Sequence, residues 1–432
     1  MPAKRPITLV ADGHPTACDL PGQQVNNEAD YRAVIALTVN FGLCYMGLLL
    51  VGLLTEPIKH SLQLSDLQLG VLTGVSFGIA FTALILPSAR VADRWNRRHA
   101  LFLCGLVFIA ATLLTGLAGD FYLMLFARVL VAGCQAFQYS LSVSLIADAL
   151  PPERRPLGFS IFTAGTWLAL AIGFTLVGYA EKFLGWRGAF YLVTALYALL
   201  LPVVVFIVRD NRRTETVARP SLSLVFKKLI RKPTFTALVL IACLYGFAIN
   251  TTANWTSAFL IRSHGFSQSG AANFMALSMG LFAGLVTLAS GKVLLVARVR
   301  GPSGPLRVAR NTTVVILALY LLGLSTTLSI APTFLWIGLG IAGFINAVIM
   351  AATQELAEPL YRATAAALVV LPDCLLGNGA GPFVAGLLSD ALTPSFGSNG
   401  LRISLLITTG AAWALAIPVY GYAIKWIERD AV

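Results

Sequence analysis

Residues 87–101 read PSARVADRWNRRHAL, a short basic run with one acid, Asp93, among Arg90, Arg94, Arg97 and Arg98. Long apolar stretches flank it on both sides, so the run reads as a tight loop at a membrane surface. The rest of the composition agrees. The 432 residues are 57% hydrophobic and only 12% charged, with mean hydropathy +0.79. A water-soluble chain carries roughly a quarter charged residues. The net charge of +12 would raise nucleic-acid binding in a soluble protein. Here it reads as basic residues gathered on one side of a bilayer, and no nucleic acid is expected.

A membrane-spanning helix takes about twenty predominantly apolar residues. About twelve stretches qualify: 33–55, 68–91, 100–119, 121–149, 157–181, 187–208, 234–260, 268–296, 310–329, 332–357, 362–389 and 401–427. If the polar N-terminus lies inside, the inner connections hold Lys4, Arg5, Arg32, the 90–98 cluster, Arg154, Arg155 and the basic runs 209–232 and 292–310. The outer ones hold only Lys59, Lys182, Arg187, Arg262 and Arg402. That asymmetry predicts both termini in the cytosol, and a bacterial inner (plasma) membrane is the expected location.

The expected organisation is a cytosolic tail (1–32), a six-helix bundle (33–208), a linker (209–233), a second six-helix bundle (234–427) and a short tail (428–432). In the linker, Leu222, Val225, Phe226 and Leu229 recur at helical spacing beside Lys227, Lys228, Arg231 and Lys232. That pattern reads as an amphipathic helix on the inner leaflet. Ser65 and Gln68 have the spacing of a capping box where the second segment begins. Glycines crowd the second, fifth and eleventh segments, which predicts close helix contacts there.

Twelve helices in two halves with a basic loop after the second resemble the major facilitator superfamily. Its loop signature is approximately G-x-L-a-D-R-x-G-R-R, filled here by Ala89, Val91, Asp93, Arg94, Arg97 and Arg98, with Ala89 and Asn96 in place of the two glycines. The resemblance implies a cytoplasmic gate of Asp93, Arg94, Arg97, Arg98 and Asp148. In it the Asp caps a helix of the other half, and an Arg pairs with the acid closing the fourth helix. The runs LSDLQLGVLTGVSF (64–77), SLIADALPPERR (144–155), GWRGAF (185–190), WTSAFLIRSHGFS (255–267) and GPFVAGLLSD (381–390) look like the Spinster branch. That branch implies alternating access and is associated with lysolipids and sphingosine-1-phosphate. Two departures bear on coupling. Gly47 and Leu48 stand where the branch carries an Asp-Arg pair, and Gln135 replaces its Glu seven residues after the retained Arg128.

Ionisable side chains deep in a bilayer are costly and are read as functional by default. Arg128 is the candidate contact for an anionic headgroup; a structural pairing with backbone carbonyls is its other reading. Asp373, in LPDCLLGNGAG, is the candidate proton site; its other readings are a neutral, hydrogen-bonded group or one facing a wet cavity. Gln135, Gln138 and Tyr139 share one face of the fourth segment. With Asn40, Thr166, Asn250, Asn254 and Asn346 they are the candidate substrate contacts, since the superfamily's first, fourth, seventh and tenth helices line the cavity.

The expected function is secondary transport of an amphipathic organic anion, a lysolipid or related lipid among the candidates, with protons as the candidate coupling ion. A polyspecific exporter of drugs or organic solutes, and a non-transporting receptor on the same scaffold, are the alternatives. No Ser/His/Asp, metal-ligand or paired-carboxylate constellation is present, so neither an enzyme nor a cofactor or metal is expected. The chain is expected to act as a monomer.

Overall fold

The computed structural model describes residues 30–210, 222–325, 328–358 and 361–430, apart from a few side chains, Asp93 among them. Residues 1–29 of the N-terminal tail and 211–221 of the linker therefore lie outside the described residues.

Every regular element among the described residues is a helix. In chain order they are α1 (Tyr31–Leu53), α2 (Thr55–Leu62), α3 (Asp66–Gly70, continuing to Arg94), α4 (Arg97–Leu117), α5 (Phe121–Ala149) and α6 (Arg155–Ile207). Then come α7 (Leu222–Leu229) within the linker, α8 (Pro233–His264), α9 (Gln268–Met275, continuing to Arg298), α10 (Gly304–Ser325), α11 (Ala331–Leu356), α12 (Arg362–Pro372, continuing to Phe396) and α13 (Gly400–Asp430). Ten stretches are long and apolar enough to cross a bilayer, which makes this an integral membrane protein. Two of them run to 51 and 67 residues, far beyond the about twenty that one crossing takes. Both are interrupted. Gly185 in α6 sits at φ 68°, ψ 176°, a backbone setting open to glycine and costly for other residues. A short 3-10 turn, Gly397–Asn399, separates α12 from α13.

The basic run that opens the sequence reading is less of a loop than its composition predicts. Residues 87–94 continue α3, with Pro87 inside it, and only Trp95 and Asn96 leave helical geometry. Asn96 then caps α4 by accepting from the His99 amide at 3.1 Å. The loop is short because that cap satisfies the start of α4 with one residue. At the start of α3 the Ser65–Gln68 capping box is present. In α7 Val225 and Leu229 are buried while Phe226, Lys227 and Lys228 are exposed.

Three helices carry a π-helical stretch: Val71–Val75 in α3, Ala276–Phe282 in α9 and Asp373–Gly379 in α12. All three lie where helices from the two ends of the chain touch. A Cβ on Gly74 would stand 2.5 Å from the Gly379 carbonyl oxygen, and one on Gly280 2.5 Å from Ala171 Cα. Backbone meets backbone at both places, which only glycine permits. Lipid tails are as apolar as the side chains, so close packing of this kind holds helices together in a membrane.

Candidate functional site

The residues that join the first part of the chain to the second concentrate at the end of the molecule that holds Ser65. Asp66 begins α3 and is 1% exposed. Its Oδ2 accepts from Arg262 Nη1 at 2.7 Å, and its Oδ1 from Arg262 Nη2 at 2.8 Å. Lys59 and Ser389 donate to the same carboxylate. Arg262 also donates through Nε to Glu56 Oε1 at 2.7 Å. Asp390, near the end of α12, accepts from the Asp66 and Leu67 amides at 3.0 and 2.7 Å. A carboxylate at a helix N-terminus satisfies free amides and complements the helix dipole. Ser257 and Gln268 both donate to the Leu53 carbonyl. These bonds tie α1–α3 to α8, α9 and α12.

The end that holds Arg97 is built differently. Arg97 donates to Asp148 Oδ2 at 2.6 Å and, through Nε, to Asp210 Oδ1 at 2.8 Å. Arg97 and Asp148 precede the linker, and Asp210 stands at its start. Arg298 bonds Glu355, Lys228 bonds Glu358 and Lys232 bonds the Asp430 carbonyl. All six lie in or after it. Each of these bonds braces one part of the chain internally.

Between the two ends lie the candidate contacts. Arg128 is 1% exposed, and its guanidinium donates to the carbonyls of Gly47, at 2.9 Å, and Leu48. Those are the two α1 positions where the Spinster branch would place its charged pair. Asn40 and Gln138 are fully buried and bonded to each other at 2.7 Å, and Gln138 donates on to Tyr197. Gln135 is buried beside them, with its Oε1 unpaired. Thr166 bonds its own helix at Phe162. Asn254 is packed against Gly52 of α1 and donates to the Asn250 carbonyl. Asn250 donates to Asn378 of α12. Tyr139, 44% exposed, and Asn346 are the open ones. Of the gate residues, Arg94 and Arg98 flank the Trp95–Asn96 break, while the Asp93 side chain lies outside the described residues.

Asp373 starts the π-helical stretch of α12. Its Oδ1 is buried without a hydrogen-bond partner. The carboxylate rests on α8, since a Cβ on Gly246 would fall 1.8 Å from that oxygen. Among the described residues no group of His, Cys, Asp or Glu can hold a metal ion.

The Arg128 geometry makes a prediction. Lysine keeps the charge but lacks the planar fork, so Arg128→Lys can serve only one of the two carbonyls well. We expect it to lower stability by about 1–3 kcal/mol, read as a lower melting temperature in detergent. Ligand affinity of the folded protein should stay at the wild-type value; a large fall in affinity at unchanged melting would contradict this.

An all-helical membrane protein pinned at one end and separately braced at the other has the build of a transporter. The chain belongs to the Major Facilitator Superfamily, whose sequence model matches residues 36–382. It is 29% identical over 405 residues to an MFS-type efflux pump of Mycolicibacterium smegmatis, covering 93% of this chain and 94% of that one. In fold it is similar to a bacterial homologue of the human lysosomal transporter Spinster in an inward-facing, unoccupied conformation. There the TM-score is 0.81 at 22% identity, over 95% of this chain and 99% of the other. It is also similar to the nucleoside transporter NupG, with TM-score 0.72 at 16% identity, over 91% and 99% of the two chains. The protein is a transporter of this superfamily and not an enzyme.

Proposed function

We propose that this protein exports an amphipathic organic solute across a bacterial inner membrane by alternating access. In this reading the chain crosses twelve times in two bundles, 33–208 and 234–427, joined by the cytosolic linker 209–233. The 51- and 67-residue stretches each cross twice, turning at Gly185 and at Gly397–Asn399. Both termini are then cytosolic, and the Arg97 end faces the cytosol.

One observation carries the reading: the Arg262–Asp66–Asp390 network joins the halves at one end, while the ion pairs described at the other end stay within each half. That is the arrangement of a transporter closed outside and open inside. Asp93, Arg94, Arg97, Arg98 and Asp148 are the groups proposed to close the inner side when the outer network breaks. Outward movement is proposed because the relative from Mycolicibacterium smegmatis is named an efflux pump. Tyr139, Asn250 and Asn346 are the substrate contacts this geometry favours. An anionic substrate rested on Arg128, and that guanidinium is turned to the α1 carbonyls.

Reconstitution tests this directly. Cysteines placed at Leu53 and Ser257, where a 2.7 Å hydrogen bond now joins α1 to α8, should abolish counterflow when cross-linked and restore it on reduction. Undiminished flux through the cross-linked protein would rule out alternating access about this end.

A further inference from the structure

We infer that Asp373 is the counter-ion for a lipophilic organic cation, held against the rings of Tyr45 and Tyr139. The inference rests on the transport reading and adds the sign of the substrate's charge. Asp373 and Arg128 are the two charged side chains set deep within the apolar helices. Arg128 is spoken for by Gly47 and Leu48. Asp373 has a buried carboxylate oxygen that nothing answers.

Space has been kept for that carboxylate. A Cβ on Gly246 would lie 1.8 Å from Oδ1, and one on Gly377 would lie 2.6 Å from it. A bare carboxylate in an apolar setting costs several kcal/mol unless a cation or hydrogen bonds answer it. The surroundings describe the cation that would. Tyr45, half-buried, and Tyr245 lie within electrostatic reach of Asp373. Phe41 stacks on Tyr45 with ring centres 6.1 Å apart and meets Tyr139 at 5.7 Å, so Tyr45 belongs to an aromatic cluster. Aromatic faces attract organic cations, most strongly where water is excluded. A hard metal ion would need six or more oxygen ligands, and no metal-holding group occurs among the described residues. An anionic headgroup would be brought toward a carboxylate at the depth where the one guanidinium is turned away.

The test uses the full chain and two pairs of probes of opposite sign. Ethidium uptake into DNA-filled proteoliposomes and carboxyfluorescein release measure flux. Tetraphenylphosphonium and tetraphenylborate, equal in shape, measure binding by tryptophan fluorescence. We expect ethidium to move and carboxyfluorescein to stay, with tetraphenylphosphonium bound at least roughly tenfold tighter than tetraphenylborate. Asp373→Asn should remove that discrimination and the ethidium flux, while Asp373→Glu, which keeps the charge, retains part of both.

Carboxyfluorescein moving in place of ethidium would overturn the cation and leave transport standing. Neither probe moving, with neither tetraphenyl ion bound, would overturn both readings. Ethidium flux unchanged in Asp373→Asn, with only its dependence on a pH gradient lost, would make Asp373 a proton site and sink the proposal. If Asp373→Asn fails to melt cooperatively, the phosphonium-to-borate ratio of the wild type decides alone, and a ratio near one overturns the inference.

Discussion

Arg262→Ala will open the end of this protein that holds Ser65. Spin labels at Gln63 and Ser395, both exposed near that end, should show a longer and broader distance distribution than in the wild type. The guanidinium supplies both forks of the bond to Asp66 and the bond to Glu56. Without it those acids keep only Lys59, Ser389 and the exposed His60 nearby. Removing one partner of a buried ion pair costs about 3–5 kcal/mol. A bias of that size on a two-state equilibrium is worth roughly two to four orders of magnitude in population. It should convert a protein closed on this side into one largely open, with transport falling steeply. Asp66→Asn should act the same way more weakly, because Asp390 still caps α3. A distance distribution identical to wild type in Arg262→Ala would show that the network does not hold this end shut.

Gly74→Val is expected to abolish transport by steric means, without touching a charge. Its Cβ would meet the Gly379 carbonyl oxygen at 2.5 Å, and one on Gly78, a turn further on, would already fall 2.7 Å from Gly379 Cα. Backbone cannot yield as a flexible side chain can, so α3 and α12 must separate. Overpacking of this kind costs typically about 1–3 kcal/mol or more, and the cost falls only on the state in which these helices touch. Gly280→Val should do likewise at the α9–α6 contact, where Ala171 is the obstacle. Gly421→Val, with nothing within 4 Å of its Cβ, is the control expected to transport normally. Equal activity in all three variants would mean that these seams stay open throughout the cycle.

Much of this protein is legible along the chain because a bilayer imposes its demands locally. Apolar length, the basic run at 87–101 and the Ser65–Gln68 cap need only neighbours in sequence to be read. The contrasting features depend on partners far away. Arg262 reads from sequence as one outer charge among five, and Asp66 as a residue behind a cap. Their bidentate bond spans 196 positions, and no spacing rule joins them. Asp210 likewise gives no local sign that it will meet Arg97.

Arg128 and Asp373 divide the lesson most clearly. Their residue types and their depth in apolar segments mark both as significant, since a charge in hydrocarbon is expensive wherever it points. What each one does depends on what it faces. Arg128 faces two backbone carbonyls, and carbonyls are the same at every position, so sequence carries no trace of that partnership. Asp373 faces a glycine on another helix, a contact that exists only once α8 and α12 are packed. The chain by itself determined the membrane, the helices and where charge is buried, because those follow from local composition. Only the tertiary structure decided which buried charge is answered and which is left open, because that is settled by contacts between helices distant in sequence.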